Sequence, residues 1–131
     1  MIESLIMLCS ERVVIDKETN NTSIFNILEN MHSAGFPLFV QKFDFFALLQ
    51  RLENDPQRID LNLKIYNNDN LLLDHRMSAD FQEKLRNRVT IHINGIAVPN
   101  PGILVVTLFL GNVALGSYEI KVSLTGSPTA R

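Results

Sequence analysis

Apolar and polar residues alternate with a period of two along most of the chain. In the segment from Ile59 to Ile65, every odd-numbered residue is apolar and every even-numbered residue is polar. Successive side chains of a β-strand point to opposite faces of the sheet. The pattern is therefore typical of a strand with one face in the core and the other in water.

Turn residues divide this pattern into about eight predicted strands. The Asp- and Asn-rich run at residues 16–22, the segment 54–57 and the sequence PNPG at residues 99–102 are all typical of tight turns. The predicted strands are residues 4–15, 23–28, 38–52, 59–65, 71–77, 89–98, 103–110 and 118–124. Residues 29–35 are expected to form an irregular connection, and residues 78–84 a single helical turn.

The short connections restrict how these strands can pair. No predicted helix is long enough for the crossover that parallel neighbours require, so the strands are expected to be largely antiparallel. At 131 residues and 46% hydrophobic content, the chain is long enough to bury a core. We therefore predict an all-β fold, an antiparallel two-sheet β-sandwich of about eight strands, with a closed barrel as the alternative. Residues 1–131 form a single domain in this prediction, with residues 125–131 as a flexible tail.

Charge and cysteine content restrict the partners and the location. The 12 basic and 14 acidic residues are interspersed and give a net charge of −2, so we expect no nucleic-acid partner, which would need a basic face. Glu3 interrupts the apolar N-terminus and no run of about 18 apolar residues occurs, so we expect neither a signal peptide nor a membrane span. Cys9 is the only cysteine and sits in an apolar run, which predicts a buried, inert thiol and no intramolecular disulfide. A cytoplasmic location is the simplest expectation.

The start of the chain resembles a known group of proteins. Residues 8–16 (LCSERVVID), 19–26 (TNNTSIFN) and 36–38 (FPL) are similar to the opening of a family of small uncharacterised bacterial β-sandwich proteins, with its apolar-Cys-Glu motif followed by an aspartate turn. The PNPG turn fits the turn that precedes the last hairpin of that family. Ser10, between Cys9 and Glu11, is an insertion relative to the motif. The resemblance implies a β-sandwich domain of unknown function, and it transfers no catalytic or binding residue.

The sequence carries no recognisable catalytic motif. His32, His75 and His92 fall on three separate segments, without the close spacing that places two metal ligands on one element. His75 and His92 are interpreted as ordinary surface or edge residues. A Ser-His-Asp triad is not excluded, but neither a G-x-S-x-G turn nor a phosphate-binding glycine loop occurs. We predict that the protein is not an enzyme and has no catalytic residue and no cofactor.

The acidic turns support an alternative function. If the strands alternate in direction, one end of the sandwich carries the turns at residues 16–22, 54–57, 78–84 and 111–112. Calcium takes about six to eight oxygen ligands, and such loops supply them in some sandwiches. The alternative is therefore a small-ligand or calcium-binding β-sandwich with Asp16, Glu18, Asp55 and Asp80 as ligands. Solvated turn residues are the other interpretation, favoured by the lysines among the acids.

Some segments carry more apolar residues than one buried sheet face requires, which indicates a partner. The segment 38–52 carries Phe39, Phe43, Phe45 and Phe46, and the segment 103–110 is apolar on both faces. These rings either fill the core or form a contact surface. Strands of this kind fit a sheet whose outer face is covered by loops or by another subunit. Our main prediction is a noncatalytic structural or protein-interaction domain of a bacterial cytoplasmic protein, which binds a protein partner or forms a homo-oligomer.

Overall fold

The computed structural model describes residues 1–125, and every regular element in this range is a β-strand. The strands are β1 (Glu3–Ile15), β2 (Thr22–Ile27), β3 (Asn30–Ser33), β4 (Leu38–Val40), β5 (Phe43–Gln50), β6 (Arg58–Asn67), β7 (Asn70–Asp80), β8 (Arg86–Ile93), β9 (Ile96–Val98), β10 (Gly102–Leu110) and β11 (Val113–Leu124). The predicted all-β sandwich is confirmed, and the described residues form eleven strands where about eight were predicted. Among the described residues, no helix has the length and apolar character needed to cross a membrane.

Two sheets contain most of the strands. The first sheet has the order β2-β1-β5-β8, with every pair antiparallel. The second sheet has the order β3-β11-β10-β6-β7 and is antiparallel except for the parallel pair of β3 and β11. The short strands β4 and β9 pair with each other. The predicted antiparallel pairing therefore describes all but one of these strand pairs.

The two large sheets enclose a shared apolar core. Phe43, Phe45 and Leu49 of β5 enter it from the first sheet, and Leu63 of β6 and Leu108 of β10 enter it from the second. All five side chains are fully buried. Burial of a side chain of this size contributes about 1.5–3 kcal/mol relative to its exposed state. The period-two pattern of the sequence thus corresponds to the inner face of each sheet.

The strand boundaries differ from the prediction where strands are short. The connection expected at residues 29–35 contains β3, which pairs with β11. The predicted strand 38–52 is divided into β4 and β5, and the predicted strand 89–98 is divided into β8 and β9 by Gly95. Gly95 has a φ of 101°, which residues with a Cβ rarely adopt, so the chain turns there. Thr125, the first residue of the predicted tail, donates its N–H to the carbonyl of Ser33 at 2.7 Å, and residues 126–131 lie outside the described residues.

The predicted helical turn at residues 78–84 is wrong. β7 continues through this region as far as Asp80. The chain then reverses at Gln82 and Glu83, which have φ values of 53° and 66°. A right-handed helical turn needs negative φ at both positions. The N–H of Gln82 donates to Asp80 Oδ1 at 2.9 Å, so this carboxylate stabilises a tight turn between two strands.

Candidate functional site

The four candidate calcium ligands are not brought together in one site. Asp16 Oδ1 accepts hydrogen bonds from the backbone N–H groups of Glu18 and Thr19, at 2.8 and 3.2 Å. These bonds close the turn between β1 and β2. In the range 1–125, the structure contains no group of three or more His, Cys, Asp or Glu side chains that could hold a metal ion. Within the described part of the chain, no contact favours the calcium-binding alternative.

Asp55 and Asp80 also have local partners. Asp55 Oδ2 lies 2.8 Å from the amino group of Met1, and this hydrogen bond is the main cause of the lowered pKa of Asp55. The N–H of Gln82 is the main cause of the lowered pKa of Asp80. A donor that binds the ionised carboxylate favours the charged form. Asp55 Oδ2 also accepts the N–H of Leu52 at 2.8 Å, so both carboxylates stabilise the turns in which they lie.

The turns at residues 54–57 and 78–84 do approach each other, as the alternating strand order predicted. The N–H of Phe81 donates to the carbonyl of Gln57 at 2.8 Å. The N–H of Glu83 donates to Gln57 Oε1 at 2.6 Å. Direct hydrogen bonds between turns therefore close this end of the sandwich.

A buried carboxylate, paired with an exposed histidine, lies at the opposite end of β5. Asp44 is 1% exposed, and its Oδ2 accepts a hydrogen bond from the N–H of Val13 at 2.9 Å. Its Oδ1 lies 2.6 Å from Nδ1 of His92, which is Asp44's direct neighbour across the β5–β8 pair. The His92 side chain is 59% exposed. Asp44 thus fixes both the last part of β1 and an imidazole that is open to water.

The Asp44–His92 pair does not extend to a catalytic triad. Among the described residues, no serine or threonine hydroxyl forms a hydrogen bond with His92. The sequence analysis placed His92 on an exposed strand face, and its exposure agrees with that interpretation. It missed the pairing with Asp44, for which the only signal was a single carboxylate in the apolar run FDFF.

The hairpin of β1 and β2 folds over the outer face of the first sheet. Two strands separate β2 from β8 in the sheet order, yet Arg88 of β8 donates to the carbonyl of Asn20 at 2.8 Å and to Thr22 Oγ1 at 2.7 Å. The hairpin must therefore cross β5 to reach Arg88. Phe46, on the outer face of β5, is only 3% exposed although it lies outside the main core. The chain's own hairpin thus covers part of the apolar outer face.

An open groove of about 550 Å³ lies where β1, β3 and β4 approach one another. β1, β3 and β4 each contribute to its wall, together with the segments that follow β2 and β4. Its lining residues are Glu11, Arg12, Leu28, Met31, His32, Leu38, Phe39, Val40, Gln41 and Lys42. Leu28, Met31, Leu38 and Val40 also pack against the main core, so the floor of the groove is apolar and well supported. The volume lies within the roughly 300–1,000 Å³ range of ligand pockets.

Phe39 is the most exposed aromatic side chain in the described part of the chain, at 71%. It lies on β4 at the wall of the groove. The aromatic segment is therefore divided between the core and the surface. Phe43, Phe45 and Phe46 are buried, whereas Phe39 is presented to solvent. The groove combines residues from five segments, and only Phe39 among them was singled out from the sequence as a contact residue.

Cys9 has the environment that the sequence predicted. Its side chain is fully buried in the main core, on β1. Burial raises the pKa of the Cys9 thiol to about 12. The thiolate, which is the reactive form, is therefore very scarce at neutral pH, and Cys9 is an inert core residue.

Several solved structures are similar to this one. The alkylpurine DNA glycosylase of Pseudomonas fluorescens, solved with DNA containing an abasic site analogue, gives a TM-score of 0.52 at 11% identity and covers 93% of this chain and 30% of its own. An immunoglobulin-like protein from Pseudomonas aeruginosa gives 0.48 at 11% identity, over 93% of this chain and 96% of its own. A β-glucosidase from Listeria innocua gives 0.49 at 8% identity, over 94% of this chain and 16% of its own. This chain thus spans less than a third of either enzyme, and at these identities the likeness concerns the fold alone.

Comparison of the amino-acid sequence with known proteins identifies a family. It matches no protein with a curated function. The family model of DUF6941, described as a family of unknown function, matches residues 5–123 and so includes all the strands that form the groove. The resemblance to an uncharacterised domain family is confirmed to this extent. The chain belongs to the family of unknown function DUF6941.

Proposed function

We propose that this β-sandwich is a protein-interaction domain that binds its partner in the groove beside Phe39. The observation that carries the proposal is the exposure of Phe39, at 71%, next to an apolar floor. An exposed aromatic ring beside a pocket is typical of the anchor residues that dominate the energy of protein interfaces. Leu28 and Met31 lie against the core, so the groove keeps its shape without a partner.

The charges at the rim indicate the chemistry of the partner. Arg12 and Lys42 are the cations of the rim, and Glu11 is its only carboxylate. Glu11 also accepts a hydrogen bond from Asn26 at 3.0 Å. The rim is therefore positive overall, which favours a partner segment that places an apolar side chain in the groove and acidic residues around it.

We also propose that the domain is noncatalytic and acts in the bacterial cytoplasm. The lone buried thiol of Cys9 fits a reducing location, where disulfides are rare. His92 has a carboxylate partner but no hydroxyl partner among the described residues, so it lacks the nucleophile of a hydrolytic triad.

A site-specific crosslinker tests the proposed groove. Phe39 is replaced with the photoreactive aromatic residue benzoylphenylalanine in cells that express the protein, and the crosslinked products are identified by mass spectrometry. Leu71 of β7, which is 50% exposed, is replaced in the same way as a control for chance contact. We expect a defined protein adduct at position 39 and none at position 71. Identical products at both positions, or no adduct at position 39, would overturn the proposal.

A further inference from the structure

The edges of the two large sheets are not protected equally. Exposed edge strands usually carry charges or are short, because an uncharged edge pairs readily with another strand. β8 carries Arg86 and Arg88, β7 carries Asp74, Arg76 and Asp80, and β3 has only four residues. β2, with the sequence TSIFNI, is six residues long and contains no charge and no proline. It is the edge that lacks the usual protection.

The register of the hairpin shows which backbone groups of β2 are free. Val13 lies opposite Ile24, and the N–H of Val13 donates to Asp44 rather than to β2. Val13 and Ile24 are therefore a non-hydrogen-bonded pair. Hydrogen-bonded and non-hydrogen-bonded pairs alternate along an antiparallel ladder, so Ile15 and Thr22, two positions further along, form a second non-hydrogen-bonded pair. The bond from the Asp16 N–H to the Asn21 carbonyl agrees with this alternation. The N–H and C=O groups of Thr22 and Ile24 consequently point away from β1, where the described strands provide no partner.

We propose that two copies of this chain pair through their β2 edges, antiparallel about a twofold axis. Thr22 of each copy lies opposite Ile24 of the other, which uses all four free groups on each edge. Ser23 then faces Ser23 of the second copy in a non-hydrogen-bonded pair, where Cα atoms approach to about 4.5 Å. Serine is small enough for this close contact. The β1–β2 hairpins of the two copies become one four-stranded antiparallel sheet.

The side chains of β2 suit this arrangement. An uncharged strand meets an identical uncharged strand, so no like charges are placed opposite each other within the paired strands. Phe25 lies on the outer face of the hairpin and is 47% exposed. In the dimer, β2 of the second copy lies beside it. A twofold pair of edges closes on itself and leaves no free β2 edge for further growth. The pairing therefore gives a dimer rather than a fibre.

This inference goes beyond the groove proposal, because the surface and the partner both differ. The groove is formed by β1, β3, β4 and their connections, and no residue of β2 lines it. The dimer leaves Phe39 free to contact a second protein. Loss of the adduct at Phe39 and loss of the dimer are therefore separate outcomes.

Solution mass measurements test the dimer. Sedimentation and light scattering of the wild-type chain across a wide concentration range should show the mass rising from 14.8 kDa toward twice that value. Hydrogen exchange at high concentration should show added protection at the amides of Thr22 and Ile24. A mass that stays at 14.8 kDa at every concentration would overturn the inference.

Charge variants at Ser23 test the register. Ser23 is exposed, and Ser23→Lys places two like charges face to face across the twofold axis, as does Ser23→Glu. Each variant alone should remain monomeric, with the melting temperature that the wild type shows at concentrations where it is monomeric, and an equal mixture of the two should recover the dimer. Leu71→Lys on β7 is the matched control and should dimerise like the wild type. A dimer formed by Ser23→Lys alone would exclude this register.

Discussion

Asp44 is the one buried carboxylate among residues 1–125, and its position explains the course of β1. β1 pairs with β5 as far as Ser10 and then leaves it to pair with β2 alone. Where the two strands separate, Asp44 replaces the lost backbone acceptor by receiving the N–H of Val13. A buried N–H without an acceptor is costly, so the side chain makes the departure of β1 from the sheet possible.

Replacement of Asp44 tests this role. Asp44→Ala should lower the free energy of unfolding by about 1–3 kcal/mol, because the buried N–H of Val13 loses its acceptor. Asp44→Asn keeps an oxygen at that position and should cost less. Urea unfolding at pH 7, with an unchanged m value, measures these differences.

His92→Ala is the control for Asp44, because it removes the imidazole contact and leaves the acceptor of Val13. The imidazole is 59% exposed, and even a charged pair at the surface contributes only about 0–1 kcal/mol. A loss at Asp44→Ala no larger than that at His92→Ala would show that the contact with His92, not the acceptor for Val13, is the important one.

The sequence predicts little of this residue-scale detail. The run FDFF shows a single carboxylate among aromatic residues, but it does not reveal which residue the carboxylate contacts. Val13 and His92 are 31 and 48 positions away from Asp44 in the chain. Their contact with Asp44 depends on the β1–β5 and β5–β8 registers, which the alternating pattern does not determine.

At the scale of elements, the turn between β6 and β7 is locked to the PNPG turn. Asn67 is fully buried, its Nδ2 donates to the carbonyl of Asn100 at 3.1 Å, and its Oδ1 accepts the N–H of Asn100 at 3.0 Å. Asn68 Oδ1 accepts the N–H of Ile103 at 3.1 Å. Gly102 lies beside this side chain with a φ of 134°. Two turns far apart in sequence thus form one hydrogen-bonded unit.

Gly102→Ala should disrupt this unit. A Cβ at position 102 would lie 2.2 Å from Asn68 Oδ1, and Asn68 is held by its bond to Ile103. The positive φ adds backbone strain of about 1–3 kcal/mol for a residue with a Cβ. Gly35→Ala is the matched control, since a Cβ there meets nothing within 4 Å. Thermal unfolding should show a clearly lower melting temperature for Gly102→Ala than for Gly35→Ala, and equal values would contradict the predicted clash.

The elements that the sequence predicts well are the long ones. β6, β7 and β10 each have nine or more residues; the period of two is unmistakable in β6, and β10 is recognised instead as a continuous apolar run. β3 and β9 have four and three residues, too few to show a period, and tertiary pairing rather than local pattern creates them. The turn after β7 was mistaken for a helix because aspartate caps helices and closes tight turns with the same hydrogen bond.

At the scale of the whole molecule, surfaces come from segments that are distant in the chain. The groove unites β1, β3 and β4 with two connections, and the cover of β5 comes from a hairpin that crosses the sheet. The sequence indicated that apolar outer faces need a cover. It left open whether loops or another subunit provides that cover, because hydrophobic periodicity records burial and not the partner that causes it.

The hydrogen bonds of Arg88 hold the β1–β2 hairpin over β5. Replacement of Arg88 should therefore loosen the hairpin without changing the core. The Arg88 guanidinium forms hydrogen bonds with Asn20 and Thr22 at the hairpin tip, whereas Arg86 on the same strand contacts Gln50. Loss of about 1 kcal/mol of hydrogen bonding in Arg88→Ala would raise the open fraction of the hairpin roughly fivefold.

Trypsin measures this opening, because Lys17 lies in the turn between β1 and β2 and is cleaved faster when the hairpin leaves the sheet. Arg86→Ala is the matched control and should be cleaved at the wild-type rate. Increased binding of an apolar dye to Arg88→Ala would report the uncovered Phe46. Equal cleavage after Lys17 in both variants would mean that Val13, through its bond to Asp44, is sufficient to hold the hairpin on the sheet.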